Sequence, residues 1–493
     1  MLVSCEEMSE AERRLFDTGV SPEPYMDTAG RLCAEAILRF FPTPGHASVF
    51  CGKGNNAGDA LVVARWLRRS RWKVTLHRCE GDGGLSPLAA RKLSEFHSEP
   101  EHLPDFHPFG AGNVIIDGLL GIGARGALRG DIRDMAQRIN ILRRETFASC
   151  FAIDLPSGLN ADTGIPGEGA VIADYTLSIT APKIGFAADG AINHVGRLVE
   201  IPLEIPIEDG DPSRGFLFPS TLRHRLRRRD YDTHKGSAGR VTIIAGSRGM
   251  TGAAVLCALG ASRGGAGLVT VCVADSIYPL IAAQCPPEVM VKPYRHFDEV
   301  SALPADVIAV GPGLGRVIEN DILDLIETDP RPVVIDADAL NALGQARSRL
   351  SSLPPNRLLT PHPGEMARLV DHEDEIDRCT LARRVADDLG LTVLYKGART
   401  VIASPGKPLE LNTTGHPGMA SGGMGDVLTG LCAAFIGQGT EIHDAACIGS
   451  WLLGKAAEIA IIDQGIAPES VNAPLVANYL GAALRELQTP GSP

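Results

Sequence analysis

Residues 47–69, ASVFCGKGNNAGDALVVARWLRR, combine three patterns that together indicate a fold. The apolar segment Ala47–Cys51 is typical of a buried strand, and Asp59–Arg69 is amphipathic, as a surface helix is. Between them lies a glycine-rich loop whose free N–H groups, at the start of a helix, favour anions such as phosphate. The stretch predicts a strand–loop–helix unit of an α/β sheet. A tight turn without a ligand is the alternative interpretation of the loop.

The same alternation continues along most of the chain. Further predicted strands are Trp72–Cys79, Asn113–Asp117, Ser149–Asp154, Tyr175–Thr180, Arg240–Ala245, Leu268–Val273, Asp306–Val310, Val333–Asp336, Arg357–Thr360 and Thr392–Lys396. Short apolar strands between helices predict parallel sheets covered on both faces, and such sheets bind ligands at the carboxyl ends of their strands. The pattern breaks down around Ile201–Pro219, which is rich in proline, acids and glycine. We therefore expect two α/β domains, residues 1–218 and 219–493.

The charge balance argues against two classes of protein. The 493 residues carry a formal net charge of -12, whereas nucleic-acid binding requires a basic surface. The basic run at residues 223–229, RHRLRRR, is either a solvated linker or helix face, or a specific anion site. No charge-free apolar stretch reaches the roughly 18 residues that span a membrane, and the acidic N-terminus shows no apolar signal segment. We expect no nucleic-acid partner and no membrane insertion.

The cysteines indicate the redox compartment. Eleven are present, with no C-x-x-C pair, and several lie in apolar runs, such as Cys51, Cys272 and Cys432. This pattern is typical of buried thiols in a reducing compartment, not of a disulfide framework or a zinc site. We expect a cytoplasmic protein.

The second half has its own glycine-rich loop at residues 418–430, GMASGGMGDVLTG. Its backbone amides suit a phosphoryl group, and Asp426, at the predicted start of a helix, could accept a proton from an attacking hydroxyl. A tightly packed helix start, with Asp426 as a cap, is the alternative.

Polar side chains follow three predicted strands of the first half. Asp117 suits a cation or a hydroxyl, or caps a tight turn; with Asn56 it could help to hold a hard monovalent cation. Asp154, beside a proline, is placed for acid/base chemistry, and Lys183 is either a second acid/base group or a surface lysine. Asp59 suits a helix cap or a contact with a ribose hydroxyl. The segments concerned are residues 115–123 (IIDGLLGIG), 153–159 (IDLPSGL) and 180–185 (TAPKIG).

Taken in order, these motifs resemble the NAD(P)H-hydrate epimerase domain, over nearly the whole first half. The order is G-x-G-N-N-[GA]-G-D, D-x-x-x-G-x-G, D-x-P-S-G and T-x-x-K. The resemblance implies a Rossmann-like αβα sandwich, a reacting ring beside Asp154, and a potassium ion held by Asn56, Asp117 and Ser157. It also implies substrate contacts from Asn55, Asn56, Ala57, Gly58, Asp59, Gly121, Ile122, Gly123, Ala124, Arg125, Gly126 and Ala127.

Two residues depart from the pattern of that family. Ala57 stands where a glycine is usual, and Thr28 stands where an asparagine is usual. The extra methyl group of Ala57 is expected to be tolerated unless this position needs a positive φ.

The second half resembles the ribokinase-like, ADP/ATP-dependent NAD(P)H-hydrate dehydratases from about residue 230 onward. The shared elements are His234-Lys235-Gly236, P-H-P-G-E, K-G-x-x-T and G-M-A-S-G-G-M-G-D. The resemblance implies a ribokinase-like αβα sandwich with hydrate contacts from Ala253, Gly313, His362 and Asp426. Nucleotide contacts are implied for Lys396, Gly397, Ala398, Arg399, Thr400 and Gly425.

Together the two resemblances imply an enzyme that repairs hydrated NAD(P)H. Asp154, Lys183 and Asp426 are the expected catalytic residues, K⁺ and Mg²⁺ the expected cations, and NADHX or NADPHX with ADP or ATP the expected small-molecule partners. We also expect a homo-oligomer. Two alternatives stay open: the second half could be a vitamin or sugar kinase of the same fold, and the first half a non-catalytic ligand-binding or interaction module.

Overall fold

The computed structural model describes residues 1–79, 84–100, 112–124, 126–296, 298–315, 320–371 and 376–489. Arg125 therefore lies outside the described residues. The chain divides into two compact units, of which the first ends at Arg214 and the second begins at Gly215. The boundary predicted between residues 218 and 219 lies four residues further along the chain.

A six-stranded sheet forms the centre of the first unit in the described residues, and its strand pairs are all parallel. Its order is β2-β1-β3-β4-β5-β6. The strands are β1 (His46–Cys51), β2 (Lys73–Arg78), β3 (Asn113–Gly118), β4 (Ser149–Ile153), β5 (Tyr175–Ile179) and β6 (Arg197–Ile201). The helices are α1 (Cys5–Asp17), α2 (Glu23–Phe40), α3 (Asn55–Arg69), α4 (Pro87–Ser98), α5 (Gly130–Thr146) and α6 (Ile192–Val195).

A ten-stranded sheet forms the centre of the second unit in the described residues, in the order β10-β9-β8-β11-β12-β13-β14-β15-β16-β7. Pairs from β10 to β14 are parallel, and β15 is antiparallel to both of its neighbours. The strands are β7 (Arg214–Leu217), β8 (Arg240–Ile244), β9 (Leu268–Ala274), β10 (Met290–Tyr294), β11 (Val307–Val310), β12 (Val333–Ile335), β13 (Arg357–Leu359), β14 (Thr392–Tyr395), β15 (Val401–Ala403) and β16 (Leu409–Asn412).

Helices cover this second sheet, and two buried apolar clusters lie against it. One cluster joins the sheet to α8, α15 and α16, and the other joins it to α11 and α12. The helices are α7 (Pro219–Leu222), α8 (Thr251–Arg263), α9 (Tyr278–Ala282), α10 (Asp298–Ser301), α11 (Asn320–Thr328), α12 (Ala337–Gln345), α13 (Pro363–Leu369), α14 (Arg378–Leu389), α15 (Met424–Gly437), α16 (Ile442–Glu458), α17 (Ala473–Asn478) and α18 (Leu480–Gln488). The predicted α/β class with two sandwiches is confirmed.

Strand order places one crevice in each unit. In the first sheet β1 has β2 on one side and β3 on the other, so the direction of winding reverses there. In the second sheet the same reversal occurs between β8 and β11. Ligands of parallel sheets bind at such switch points, beyond the carboxyl ends of the strands. The glycine-rich loop that follows β1 lies at the first switch point, and the loop of residues 311–315 (GPGLG), which follows β11, lies at the second.

One helical stretch of the described residues, Ile442–Asp463, is long and apolar enough to cross a membrane by length and composition. Of its most apolar window, 89% is buried inside the second unit. It packs in the apolar cluster formed with α8 and α15, as a core helix does.

Candidate functional site

A cavity of about 650 Å³ opens at the carboxyl ends of the strands in the first unit. Its walls come from α1 and α2 and from the loops that follow β1, β3 and β4. The residues predicted from sequence that line it are Asn55, Asn56, Asp59, Gly121, Ile122, Gly123, Ala124, Asp154 and Lys183. The fold therefore brings together segments that lie more than a hundred residues apart.

Other residues of the predicted set surround the cavity without lining it. Ala57 is fully buried in α3 and does not have a positive φ, so its methyl group is accommodated. Gly58 packs against Met26, where a Cβ would lie 2.5 Å from the sulfur. Gly126 and Ala127 belong to the loop after β3 but do not reach the cavity wall. Thr28 donates its hydroxyl to the carbonyl of Pro24 within α2.

The loop after β1 requires glycine at one position. A Cβ on Gly52 would lie 1.8 Å from the carbonyl oxygen of Leu119, because the two loops cross there. Helix α3 begins directly afterwards, at Asn55, with Gly54 as its N-cap. The interpretation of Asp59 as the helix cap is therefore wrong, because Asp59 lies one turn inside the helix and faces the cavity.

Asp154 and Lys183 form an ion pair at the cavity wall. The ammonium of Lys183 donates to Asp154 Oδ1 and to the carbonyls of Ile179 (3.3 Å) and Ala181 (3.1 Å). Since an ammonium has three hydrogens, this fully buried lysine is completely committed. Asp154 has a φ of 64°, and such left-handed backbone in a residue other than glycine is concentrated at functional sites.

A second polar cluster lies below the loop after β3. Both carboxylate oxygens of Asp117 accept hydrogen bonds from Ser157, one from its hydroxyl (2.7 Å) and one from its N–H (2.8 Å). Ser157 Oγ also accepts from the N–H of Leu120, whose carbonyl accepts from Asn56 Nδ2. The three residues predicted to hold a cation are thus brought together. Burial raises the pKa of Asp117 to about 6, against the hydrogen bonds from Ser157.

Two further carboxyl groups face the cavity. Glu12 projects from α1 and Asp59 from α3. Within the described part of the chain, neither side chain has a hydrogen bond or an ion pair. Burial, with a smaller contribution from the charge of Asp154, raises the pKa of Glu12 to about 7 and that of Asp59 well above its usual range.

In the second unit, Asp336 organises the polar centre at the carboxyl end of β12. It is almost fully buried, and its Oδ1 accepts from Lys396 Nζ (2.5 Å) and from Thr360 Oγ1 (2.8 Å). Its Oδ2 accepts from Thr429 Oγ1 (2.7 Å), in the second turn of α15. Lys396 Nζ is also 3.6 Å from Glu365. Burial alone would lower the pKa of Lys396, but the carboxylates of Asp336 and Glu365 raise it above its ordinary value.

Asp426 and Gly425 stand beside this centre, in the first turn of α15. The N-cap of the helix is Gly423, whose φ of 92° suits glycine. A Cβ on Gly425 would lie 3.4 Å from Lys396 Nζ, so the glycine keeps the ammonium close to the helix N-terminus. Burial and the charge of Asp336 raise the pKa of Asp426 to about 7, while Lys396 opposes them. A carboxyl group with this pKa is suited to proton transfer near neutral pH.

Two of the predicted hydrate contacts of this unit, Ala253 and Gly313, meet beside the β8–β11 switch point, and His362 follows β13. Gly313, with a φ of 61°, packs against Ala253 of α8, where a Cβ would come within 2.8 Å of the alanine methyl. His362 is the N-cap of α13, and its Nδ1 accepts from the N–H groups of Gly364 (2.9 Å) and Glu365 (3.3 Å). The side chain of His362 is 51% exposed, and its Nε2 lies 3.4 Å from Glu365 Oε1.

The segment Lys396–Thr400 joins the antiparallel strands β14 and β15. Arg378 holds its backbone by donating to the carbonyls of Lys396 (3.3 Å) and Ala398 (2.8 Å). Gly397 is covered by the same guanidinium. The guanidinium of Arg399 lies 5.3 Å from the ring centre of Phe216.

Comparisons with known proteins place both units in known families. A model of the YjeF-related protein N-terminus matches residues 23–185, and a model of NAD(P)H-hydrate dehydratase matches residues 241–480. The bifunctional NAD(P)H-hydrate repair enzyme Nnr of Moorella thermoacetica is 35% identical, over 99% of this chain and 97% of that protein. The enzyme of the same name from Escherichia coli is 34% identical, over 92% of this chain and 88% of that protein.

The chain belongs to the family of bifunctional NAD(P)H-hydrate repair enzymes. A solved structure also resembles the second unit of this repair enzyme: a ribokinase-like superfamily protein from Enterococcus faecalis superposes with a TM-score of 0.51 at 27% identity. The match covers 57% of this chain and 99% of that protein. The predicted family and the ribokinase-like class of the second half are confirmed.

Several residues at the two sites of this repair enzyme were not predicted from sequence. They are Glu12 in the first unit and Asp336, Thr360, Glu365, Arg378 and Thr429 in the second. Asp336 directly follows an apolar strand, the same signal that singled out Asp117 and Asp154. Glu12 carries no such signal, because it lies in the middle of a charged amphipathic helix.

Proposed function

We propose that the first unit interconverts the two C6 epimers of hydrated NAD(P)H, and that the second unit removes the C6 hydroxyl from the (S) epimer. The observation that carries this proposal is the presence of two separate polar centres at the carboxyl ends of two parallel sheets. The first is the Asp154–Lys183 pair at the wall of the cavity. The second is Asp426 beside Lys396, at the N-terminus of α15.

In the epimerase unit, Asp154 is the proposed acid/base group beside the reacting ring. Lys183 neutralises its charge and is the proposed second acid/base group. The N-terminus of α3, with Asn55 and Asn56, and the loop of Gly121–Ala124 would hold the phosphates and the remainder of the substrate. The predicted contacts from Ala57, Gly58, Asp59, Arg125, Gly126 and Ala127 belong to the same proposal.

A monovalent cation fits the cluster of Asn56, Asp117 and Ser157. Asp117 is fully buried, and the described residues provide no cationic side chain to pair with it. Buried carboxylates are costly unless paired, so a bound K⁺ would stabilise the ionised form of this residue. Bound there, K⁺ would fix the loop after β3 by charge neutralisation. The melting temperature should be higher in KCl than in N-methylglucamine chloride, and Asp117→Asn should remove the difference.

In the dehydratase unit, Asp426 would take the proton of the C6 hydroxyl as that oxygen attacks the terminal phosphorus of the nucleotide. The C6–O bond of the phosphorylated hydrate then breaks with loss of a C5 proton, so that phosphate leaves and NAD(P)H is restored. ADP would yield AMP and phosphate. Lys396–Thr400 and Gly425 are the proposed nucleotide contacts, and Ala253, Gly313 and His362 the proposed hydrate contacts.

A magnesium ion would accompany the nucleotide, where it neutralises phosphate charge. Glu365 fits this role because its buried carboxylate is an oxygen donor beside Lys396. We further propose a homo-oligomeric, cytoplasmic enzyme. The eleven cysteines, all free and nine of them buried, support a reducing compartment.

Recovery of reduced coenzyme from a mixture of both hydrate epimers tests this function directly. The full chain with ADP or ATP should convert all of the hydrate, not only the (S) fraction, and conversion should stop without nucleotide. Phosphorylation of a vitamin alcohol or sugar without coenzyme recovery would instead support a kinase. An Asp154→Ala variant that converts the (R) epimer as fast as the wild type would support a non-catalytic first unit.

A further inference from the structure

Helix α1 presents one face to the cavity of the first unit and the opposite face to solvent. Met8, Glu12 and Phe16, spaced four residues apart, line the cavity. On the other face Glu10 pairs with Arg13 and Arg14. Glu12 is therefore the carboxyl group that this helix directs towards the cavity.

The start of α1 is fixed to the segment that carries Lys183. The N–H of Val3 donates to the carbonyl of Pro182 (3.0 Å), and the N–H of Ile184 donates to the carbonyl of Val3 (2.9 Å). Ser4 then caps the helix in a reciprocal pair with Glu7. These bonds hold α1 in a defined position relative to the Asp154–Lys183 pair.

None of the charged groups near Glu12 in the described residues forms an ion pair with it. The charged groups that share its cavity are Lys53, Asp59, Asp154 and Lys183. Lys183 is committed to Asp154 and two carbonyls, and no hydrogen bond or ion pair reaches Glu12 from the described residues. Burial raises the pKa of Glu12 to about 7, with Asp154 adding to the effect and Lys183 opposing it, so the group is partly protonated at neutral pH.

Inverting the C6 centre of the hydrate by ring opening needs one acid and one base. A base takes the proton of the C6 hydroxyl, the C6 carbonyl forms, and the electrons of the C6–N1 bond move to N1, which receives a proton from an acid. Rotation about C5–C6 turns the other face of the aldehyde to N1. The reverse transfers then close the ring and return both groups to their starting states, so no co-reactant is consumed.

We propose that Glu12 is the acid of this step and a catalytic residue of the epimerase site, opposite Asp154 as the base. The inference rests on the proposed epimerase function. It assigns the proton on N1 to a residue of α1 that no motif contains. Asp59, the other unpartnered carboxyl group, is assigned to substrate binding.

The test measures epimer interconversion by the full chain without nucleotide, after subtraction of the spontaneous rate, in wild type, Glu12→Gln, Glu12→Asp, Asp59→Asn and the surface control Glu10→Gln. For Glu12→Gln we expect kcat to fall by at least about 100-fold with KM changed less than about threefold. In the wild type kcat should fall as pH rises through about 7, because the acid must be protonated. In Glu12→Gln this fall of kcat with rising pH should be absent. Glu12→Asp should regain part of the wild-type kcat together with the fall, and Glu10→Gln should match the wild type.

Other outcomes would overturn the inference in distinguishable ways. Wild-type kcat in Glu12→Gln, or a loss confined to KM, would remove Glu12 from the chemistry. A fall of kcat with rising pH that disappears in Asp59→Asn but persists in Glu12→Gln would identify Asp59 as the acid. Absence of interconversion by the wild type would overturn the proposed function itself, and this inference with it. Circular dichroism and thermal unfolding of each variant check that the first unit is folded, and dehydration of the (S) epimer with ADP checks the second unit.

Discussion

The two units place their sites at the same position of a parallel sheet but surround them with different charges. Each places its site at a switch point of a parallel sheet, behind a loop in which glycine permits a close approach of the backbone. In the first unit Lys183 is bound to Asp154, and the carboxyl groups of Glu12 and Asp59 have no hydrogen-bond or ion-pair partner among the described residues. In the second unit one lysine lies between two carboxylates, beside an aspartate at a helix N-terminus.

This difference matches the two reactions. Proton transfer to and from a neutral ring needs carboxyl groups that are free to change protonation state, and an unpartnered carboxyl in a cavity is such a group. Phosphoryl transfer moves several negative charges, and it needs fixed positive charge and helix N–H groups. A site with spare acids and a site with a fixed cation are therefore expected on the same kind of sheet.

The largest effect should come from removing the proposed base of the second unit. Asp426→Asn should slow dehydration of the (S) epimer with ADP by about 10²–10⁴-fold, because the amide cannot accept the hydroxyl proton. Epimerisation by the same protein should not change. Asp321→Asn, on an exposed position of α11, is the matched control. Loss of both activities in a folded variant would mean that the two sites are not independent.

The complementary change in the first unit is Asp154→Asn. It should slow epimer interconversion by about 10²-fold or more, and it should leave dehydration of purified (S) epimer unchanged. Chromatographic separation of the epimers measures the first rate, and coenzyme absorbance the second. Asp134→Asn, with a side chain 68% exposed, is the control. An unaltered epimerisation rate would contradict the role assigned to Asp154.

Glu410, a buried glutamate of the second unit, contrasts with Glu12 because both of its carboxylate oxygens accept hydrogen bonds. Glu410 accepts two bonds from Arg225 (2.6 Å each), one from His443 and one from Cys447. Glu410→Gln should cost about 3–5 kcal/mol of unfolding free energy, since it removes the carboxylate that binds the buried Arg225 through two hydrogen bonds and leaves the more distant Asp444, at 3.4 Å, to pair with it. Urea denaturation measures this loss, with Glu441→Gln, 62% exposed, as the control.

The direction in which the pKa of Glu410 is shifted determines how the stability contributed by this cluster depends on pH. Burial favours the neutral acid, but the bonds from Arg225 and His443 hold the pKa of Glu410 below its usual range. The stabilisation is therefore complete above the ordinary glutamate pKa of about 4.3 and is lost as pH falls below it. In Glu410→Gln the free energy of unfolding should differ less between pH 7 and acidic pH than it does in the wild type. The same pH dependence in the variant and the wild type would contradict this account.

Two glycines of one loop sharpen the comparison at the level of the backbone. Gly52→Ala should destabilise the first unit by about 1–3 kcal/mol and impair epimerisation, because its Cβ would meet the carbonyl of Leu119. Gly54→Ala should be nearly neutral, since nothing lies within 4 Å of the added Cβ. Thermal unfolding of both variants measures the difference. Equal effects would mean that the two loops separate without cost.

The smallest expected effect is a shift in the pH dependence of dehydration. If Asp426 must be ionised, dehydration should fall by about tenfold per pH unit well below its pKa of about 7 and should level off above it. Asp336→Asn, which removes the nearest negative charge, should move the midpoint to lower pH. A midpoint that stays in place would contradict the proposed coupling of Asp336 to Asp426.

Much of the fold was predictable because its signals are local. The predicted strands along both sheets are present, with ends that differ by a residue or two. Five strands of the described residues were not predicted. Three of them lie at sheet edges: β6 follows a short 3₁₀ and helical segment, β7 falls where the pattern was expected to break down, and β10 is largely exposed and contains Pro293. The other two are the short strands β15 and β16. The basic run at residues 223–229 was predicted to be solvated or anion-binding, but Arg225 forms a buried ion pair with Glu410.

By itself, the sequence determined the alternation of strands and helices, the two glycine-rich loops and the family of the chain, because these depend on neighbouring residues. Only the tertiary structure decided which charges meet. Lys396 and Thr429 reach Asp336 from 60 and 93 residues away, and Glu12 enters the cavity of Asp154 on α1, near the start of the chain. Burial and the distance between charges set their protonation, and neither quantity exists before the chain has folded.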